Sequence, residues 1–130
     1  MIEHFERPDG LGPVNGYSHA TAGAGRLVAV SGQLPVTADG AVVDATDPLA
    51  QIRQVFANLT TALAAAGAEP ADVLRLTVFL TDLADLGAFR TARDEWLGGR
   101  IPPACSLVQV TALVLPDARV EIDALAITGR

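Results

Sequence analysis

The side chains able to do chemistry in this sequence are few and unevenly chosen. All nine basic residues are arginine and lysine is absent, which removes Schiff-base catalysis, a lysine general base and the Gly-Lys-Ser/Thr phosphate loop. The single cysteine, Cys105, has no partner for an intramolecular disulfide, and with His4 and His19 it makes a weak set of zinc ligands, so neither a metal nor another cofactor is expected. Cys105 acts as a nucleophile only beside a base or cation that favours its thiolate; otherwise it reads as an inert thiol in a core or pocket wall. Glu121 and Asp123 stand two apart in the run VEID and share one face of a strand, where the pattern alone gives solvated carboxylates. Tyr17, the only tyrosine, offers an apolar ring with a polar tip, suited to anchoring a segment or walling a cleft. Ser31 opens an S-G-Q turn, and Arg90 lies on a helical stretch within reach of Asp94 and Glu95.

These residues need elements to hold them. The first 25 residues, punctuated by Gly10, Gly12, Pro13 and Gly16, read as an extended arm. Arg26 to Ser31 is a short apolar run that kinks at Gly32, resumes at Leu34 and turns at Ala38-Asp39-Gly40. Asp47 and Pro48 mark a helix start, and Leu49, Ile52, Phe56, Leu59 and Leu63 follow at three- and four-residue spacing until Gly67 stops the helix. Val73 to Leu80 alternates as a strand. Asp85 begins a second helix with Leu86, Phe89, Arg93, Trp96 and Leu97 on one flank, ended by Gly98-Gly99. Ser106 to Val114 and Val120 to Ile127 read as two strands of a hairpin around Pro116-Asp117.

The order of strands and helices gives an α+β class with two helices packed on one face of a sheet, in a single domain over residues 1–130. The strands carry apolar residues on both faces, and no sequence is left over to cover the second. Another copy of the chain is the simplest cover. With 15 acidic residues against 9 basic ones, the formal charge of −6 opposes binding to phosphate backbones and anionic lipid. The opening MIEHFERPDG lacks the apolar run of a signal peptide, and no stretch has the length of a membrane span, so the expected location is cytoplasmic.

Seven fragments then fall in a telling order: GYSHA from Gly16, SGQLP from Ser31, Q-x-x-x-N-L from Gln54, AG at Ala66, DVLRLTVFLTD from Asp72, PPACSLVQV from Pro102 and VEIDALA from Val120. Through them the chain resembles the RidA (YjgF) family, whose best-studied members hydrolyse reactive enamines and imines. The resemblance covers nearly the whole chain. It implies a chorismate-mutase-like fold and a homotrimer with small-molecule clefts between neighbouring subunits.

Hydrolysis of an enamine needs a proton for carbon, a water for the iminium carbon and a proton for departing ammonia. One carboxyl alternating between acid and base serves all three when its surroundings let it hold a proton near the working pH. Glu121 matches the family's acidic position; Asp123 is its natural control. Tyr17 matches the arm tyrosine that walls the cleft, and Ser31 the turn that binds a substrate anion or holds the water. Cys105 is a departure, because family deaminases carry there an arginine that grips the substrate carboxylate. Losing a bidentate charged pair costs on the order of a few kcal/mol of binding. Arg90 falls where the family often has asparagine, and restores a clamp from another wall if it faces the cleft. The expected activity is a deaminase-type hydrolase. The alternative is a trimeric small-ligand binder, or an enzyme of another pathway, whose ligand lacks a carboxylate. Endoribonuclease action ranks last, given the net charge and the lack of a basic stripe.

Overall fold

A computed structural model describes residues 2–129. The chain runs β1 (Ile2–Phe5), β2 (Ala20–Gly23), β3 (Arg26–Gln33), α1 (Pro48–Ala65), β4 (Val73–Leu80), α2 (Leu86–Leu97), β5 (Ala104–Gln109) and β6 (Val120–Thr128). Four strands form a mixed sheet in the order β3-β6-β4-β5, antiparallel except for the parallel pair β4 and β5. The fold is the expected α+β one, with both helices on one face.

Helix α1 starts as its sequence dictates. Asp47 accepts from Ala50 N at 2.9 Å, and Pro48 occupies the position whose N–H would have no partner. Its face of Ile52, Phe56, Leu59 and Leu63 is buried, against Val28 and Val30 of β3, Leu76, Val78 and Leu80 of β4, and Ile122, Ala124 and Ala126 of β6. Helix α2 packs beside it. Phe56 stacks on Trp96 at 5.0 Å and lies 6.1 Å from Phe89, while Trp96 Nε1 donates to Thr60 Oγ1 at 3.0 Å.

Two sequence expectations need correction. The arm is not simply extended, because β1 and β2 pair antiparallel from Ile2 opposite Gly23 to Phe5 opposite Ala20. Nor do the last two strands form a hairpin. β5 ends at Gln109 and pairs in parallel with β4, while residues 110–119 carry the chain across to insert β6 between β3 and β4. The reason lies in β6, whose alternate residues Val120, Ile122, Ala124, Ala126 and Thr128 are all buried. A strand so completely buried on one face belongs in the centre, where both of its edges find hydrogen-bond partners.

The opposite face carries Leu27, Ala29 and Ser31 of β3, Glu121, Asp123 and Leu125 of β6, and Arg75, Thr77 and Phe79 of β4. Among the described residues nothing in the chain closes over its apolar members: Leu27 is 60% exposed and Leu125 40%. No described helix is long and apolar enough to cross a membrane.

Candidate functional site

Between β1 and β2, the arm runs along the free edge of β5. Ser18 N donates to Pro103 O at 2.9 Å, Ser18 Oγ to Pro102 O at 2.6 Å, and Ser18 bridges Ala104 in parallel. This lays Asn15, Gly16 and Tyr17 opposite α2, and a pocket of about 340 Å³ opens between them. That volume is at the lower end of the roughly 300–1,000 Å³ of small-molecule sites. Leu86, Phe89 and Leu107 form its apolar walls; Asn15, Tyr17, Arg90, Arg93 and Cys105 supply its polar groups. The Tyr17 ring is braced edge-on by His19 at 5.6 Å, whose Nε2 lies 3.0 Å from Gly12 O.

Arg93 is the residue that sequence reasoning missed. Its guanidinium is buried: Nη1 donates to Asn15 O at 2.9 Å, Nη2 to Asn15 Oδ1 at 3.2 Å and Nε to Asp94 Oδ1 at 3.0 Å. It also lies over the Phe89 ring at 5.8 Å. Gly16 makes room for it, since a β-carbon there collides with the guanidinium, and its φ of +71° is one that other residues avoid. Arg93 therefore pins the arm to α2. The sequence holds a trace of this in the stripe Phe89, Arg93, Leu97, where a charge interrupts buried apolar positions and must be partnered.

Arg90 is exposed and lines the same pocket one turn earlier. Neither acidic residue that could have supported it is free to do so. Asp94 holds Arg93 at 2.9 Å, and Glu95 holds Arg53 at 2.7 Å. Cys105 also faces the pocket. Burial pushes its thiol pKa up to about 11, with the charges of Arg93 and Arg75 opposing that shift only in part, so it is a neutral thiol at physiological pH rather than a nucleophilic thiolate.

Ser31 and Glu121 lie elsewhere, on the open sheet face. Between Val30 and Gln33 the register with β6 slips by one residue, a bulge that sets Ser31 and Gly32 together opposite Asp123. The Glu121 carboxyl rests on Gly32, where an added β-carbon collides with its Oε2 and comes within 2.7 Å of its Cδ. On its other flank Glu121 pairs across strands with Phe79, while Asp123 pairs with Thr77. Glu121 is half-buried against Gly32, with no hydrogen bond or ion pair to any described residue. The five residues singled out from the sequence thus form two groups: Tyr17, Arg90 and Cys105 share one pocket, and Ser31 and Glu121 share a bulge on the open face. No cluster of three or more His, Cys, Asp or Glu suited to a metal occurs among the described residues.

A two-helix, four-stranded sheet with an edge pocket and an open second face defines a small α+β protein of the chorismate-mutase-like class. The chain belongs to the RidA/YjgF family: residues 8–128 match the family model described as endoribonuclease L-PSP. It is 37% identical over 128 residues to Protein DfrA of Myxococcus xanthus, covering 98% of this chain and 94% of that one. It is 34% identical over 105 residues to the 2-iminobutanoate/2-iminopropanoate deaminase of Salmonella typhimurium, covering 79% and 80% respectively. The structure of the Rid-family protein YyfB from Yersinia pestis, described as of unknown function, superposes with a TM-score of 0.90 at 36% identity, covering 98% of each chain.

Proposed function

We propose that this chain is a cytoplasmic hydrolase of small enamines and imines that releases ammonia, working as a homotrimer in which the open sheet face of one copy meets the pocket of the next. The observation that carries this reading is Glu121, a half-buried carboxyl with no hydrogen-bond or ion-pair partner among the described residues, seated on a glycine bulge that also holds Ser31. Joining the two groups across copies also covers Leu27 and Leu125. The named activity of the Salmonella relative agrees with the reading.

The chemistry needs no cofactor. Glu121 gives its proton to the enamine carbon, and the resulting carboxylate takes one from the water that adds to the iminium carbon. That proton passes to nitrogen, the C–N bond breaks, ammonia leaves, and the hydroxyl proton of the nascent ketone returns to the carboxylate. Tyr17 and Ser31 shape the cleft and hold the water. The charge of −6 favours a free small molecule over nucleic acid as partner.

The test supplies enamines generated in situ from several amino acids and follows formation of the keto product. No acceleration over water with any of them, at high protein concentration, overturns the reading. One observation favours a second reading, a ligand-binding trimer: position 105 holds a neutral thiol. Tight binding of an uncharged ketone or amide, without any acceleration of enamine hydrolysis, would establish it.

Gly32→Ala tests the seat of the carboxyl without altering Glu121. The new methyl displaces the end of a flexible side chain, and Gly32 does not hold a positive φ, so the fold tolerates it. Activity is expected to fall by about 10²-fold, the scale of loss from an ångström of misplacement, with the melting temperature unchanged or slightly raised. Full activity in this variant means the Glu121 position is not used.

A further inference from the structure

The charge distribution around the pocket bears on what it binds. In a protein of formal charge −6, this pocket is lined by two arginines and, among the described residues, by no acidic side chain. The two arginines differ in what they have left to give. Arg93 directs its donors at Asn15 and Asp94 and is fixed in place by Phe89 and Gly16. Arg90, three residues away on the same flank of α2, makes no hydrogen bond or ion pair with any described residue, and its helical neighbours Asp94 and Glu95 are held by Arg93 and Arg53. A guanidinium carries five N–H donors in a fork that matches a carboxylate.

We propose that this pocket is an anion subsite in which Arg90 grips the carboxylate of the ligand while Arg93 provides a fixed positive backing. The proposal rests on the enamine/imine reading and assigns the grip on the substrate's carboxylate to a residue of this chain's second helix. The carboxylate anchor is thereby moved from β5 to α2. The small neutral Cys105 leaves its part of the pocket open, and Leu86, Phe89 and Leu107 provide the surface for an apolar side chain larger than a methyl group. Arg93 is a positioning residue in this arrangement and Arg90 the binding one.

Calorimetry with 4-methyl-2-oxopentanoate and its primary amide tests the subsite without turnover. The wild type is expected to bind the acid at least about tenfold more tightly than the amide, the scale of a charge-assisted hydrogen-bond pair. Arg90→Gln is expected to weaken the acid by at least about tenfold and leave the amide unchanged, and Arg90→Lys to recover part of the loss. Arg90 is exposed, so these variants keep the fold. Equal affinity for acid and amide, an unaffected Arg90→Gln, or no binding of the acid by the wild type overturns the subsite. Enamine hydrolysis measured in parallel separates the two ideas. Selective acid binding without hydrolysis supports the subsite and removes the hydrolase, whereas hydrolysis of amino-acid enamines at wild-type kcat/KM in Arg90→Gln keeps the hydrolase and removes the subsite.

Discussion

Glu121→Gln is expected to lower the rate of enamine hydrolysis by about 10²–10⁴-fold, the usual worth of a positioned acid/base group, while leaving thermal unfolding nearly unchanged. The two halves of this expectation have different origins. Glutamine keeps the shape of the side chain on the Gly32 bulge but can neither release nor accept a proton, so every transfer in the cycle must fall to water. Stability is spared because the carboxyl forms no hydrogen bond or ion pair with a described residue that the substitution could break. Asp123→Asn provides the comparison. It lies on the same face of β6 two residues further on, between Thr77 of β4 and the Ser31-Gly32 bulge of β3 in register, but it is the Glu121 carboxyl that rests on Gly32, so the loss from Asp123→Asn should be far smaller. Equal losses from the two variants assign the effect to the charge of the sheet face as a whole. A wild-type rate in Glu121→Gln places the proton transfers on another group.

Local features of the fold were legible in the sequence and long-range pairings were not. Asp47, Pro48 and the spacing of Ile52, Phe56, Leu59 and Leu63 define α1 because a helix cap and a helix face are local matters. The Pro116-Asp117 turn suggested a hairpin for an equally local reason, yet β6 pairs with β3 and β4. Strand order depends on which edges remain open once the core has formed, and no turn residue encodes that. The site divides along the same line. Alternation puts Glu121 and Asp123 on the face away from the helices, but what distinguishes them is that the Glu121 carboxyl rests on Gly32, a bulge residue of a strand about 90 residues earlier in the chain. In the sequence Arg90 has Asp94 one helical turn on and Glu95 next to it; in the fold Arg53 arrives from α1 to take Glu95, and the burial of Arg93 claims Asp94.

Gln51→Leu is expected to remove about 3 kcal/mol of folding stability, the largest structural loss among these substitutions. Gln51 is fully buried on α1 and does the work of a short strand with its side chain: Nε2 donates to Val43 O and to Asp117 O, both at 2.8 Å, and Oε1 accepts from Arg119 N at 2.8 Å. Leucine fills a similar volume with apolar atoms, so transfer from water favours the variant slightly. Against that gain stand two carbonyls and one N–H left without partners, at about 1–3 kcal/mol each. Val43 and Arg119 are only partly exposed and Asp117 lies at the surface, so some of the freed groups regain water and the sum falls towards the lower end. The loss should also reach the site. Arg119 immediately precedes β6 and stands two residues before Glu121, and its guanidinium holds Asp85 at the start of α2 at 2.8 and 3.0 Å. Loosening its backbone disturbs the entry of the strand that carries the carboxyl and the end of the helix that carries Arg90. Urea unfolding at matched protein concentration, needed because association shifts apparent stability, should therefore show a lower midpoint together with reduced hydrolysis. A variant within about 1 kcal/mol of wild type, the net worth of one ordinary hydrogen bond, would show that water replaces all three bonds and that Gln51 does not hold the two loops together.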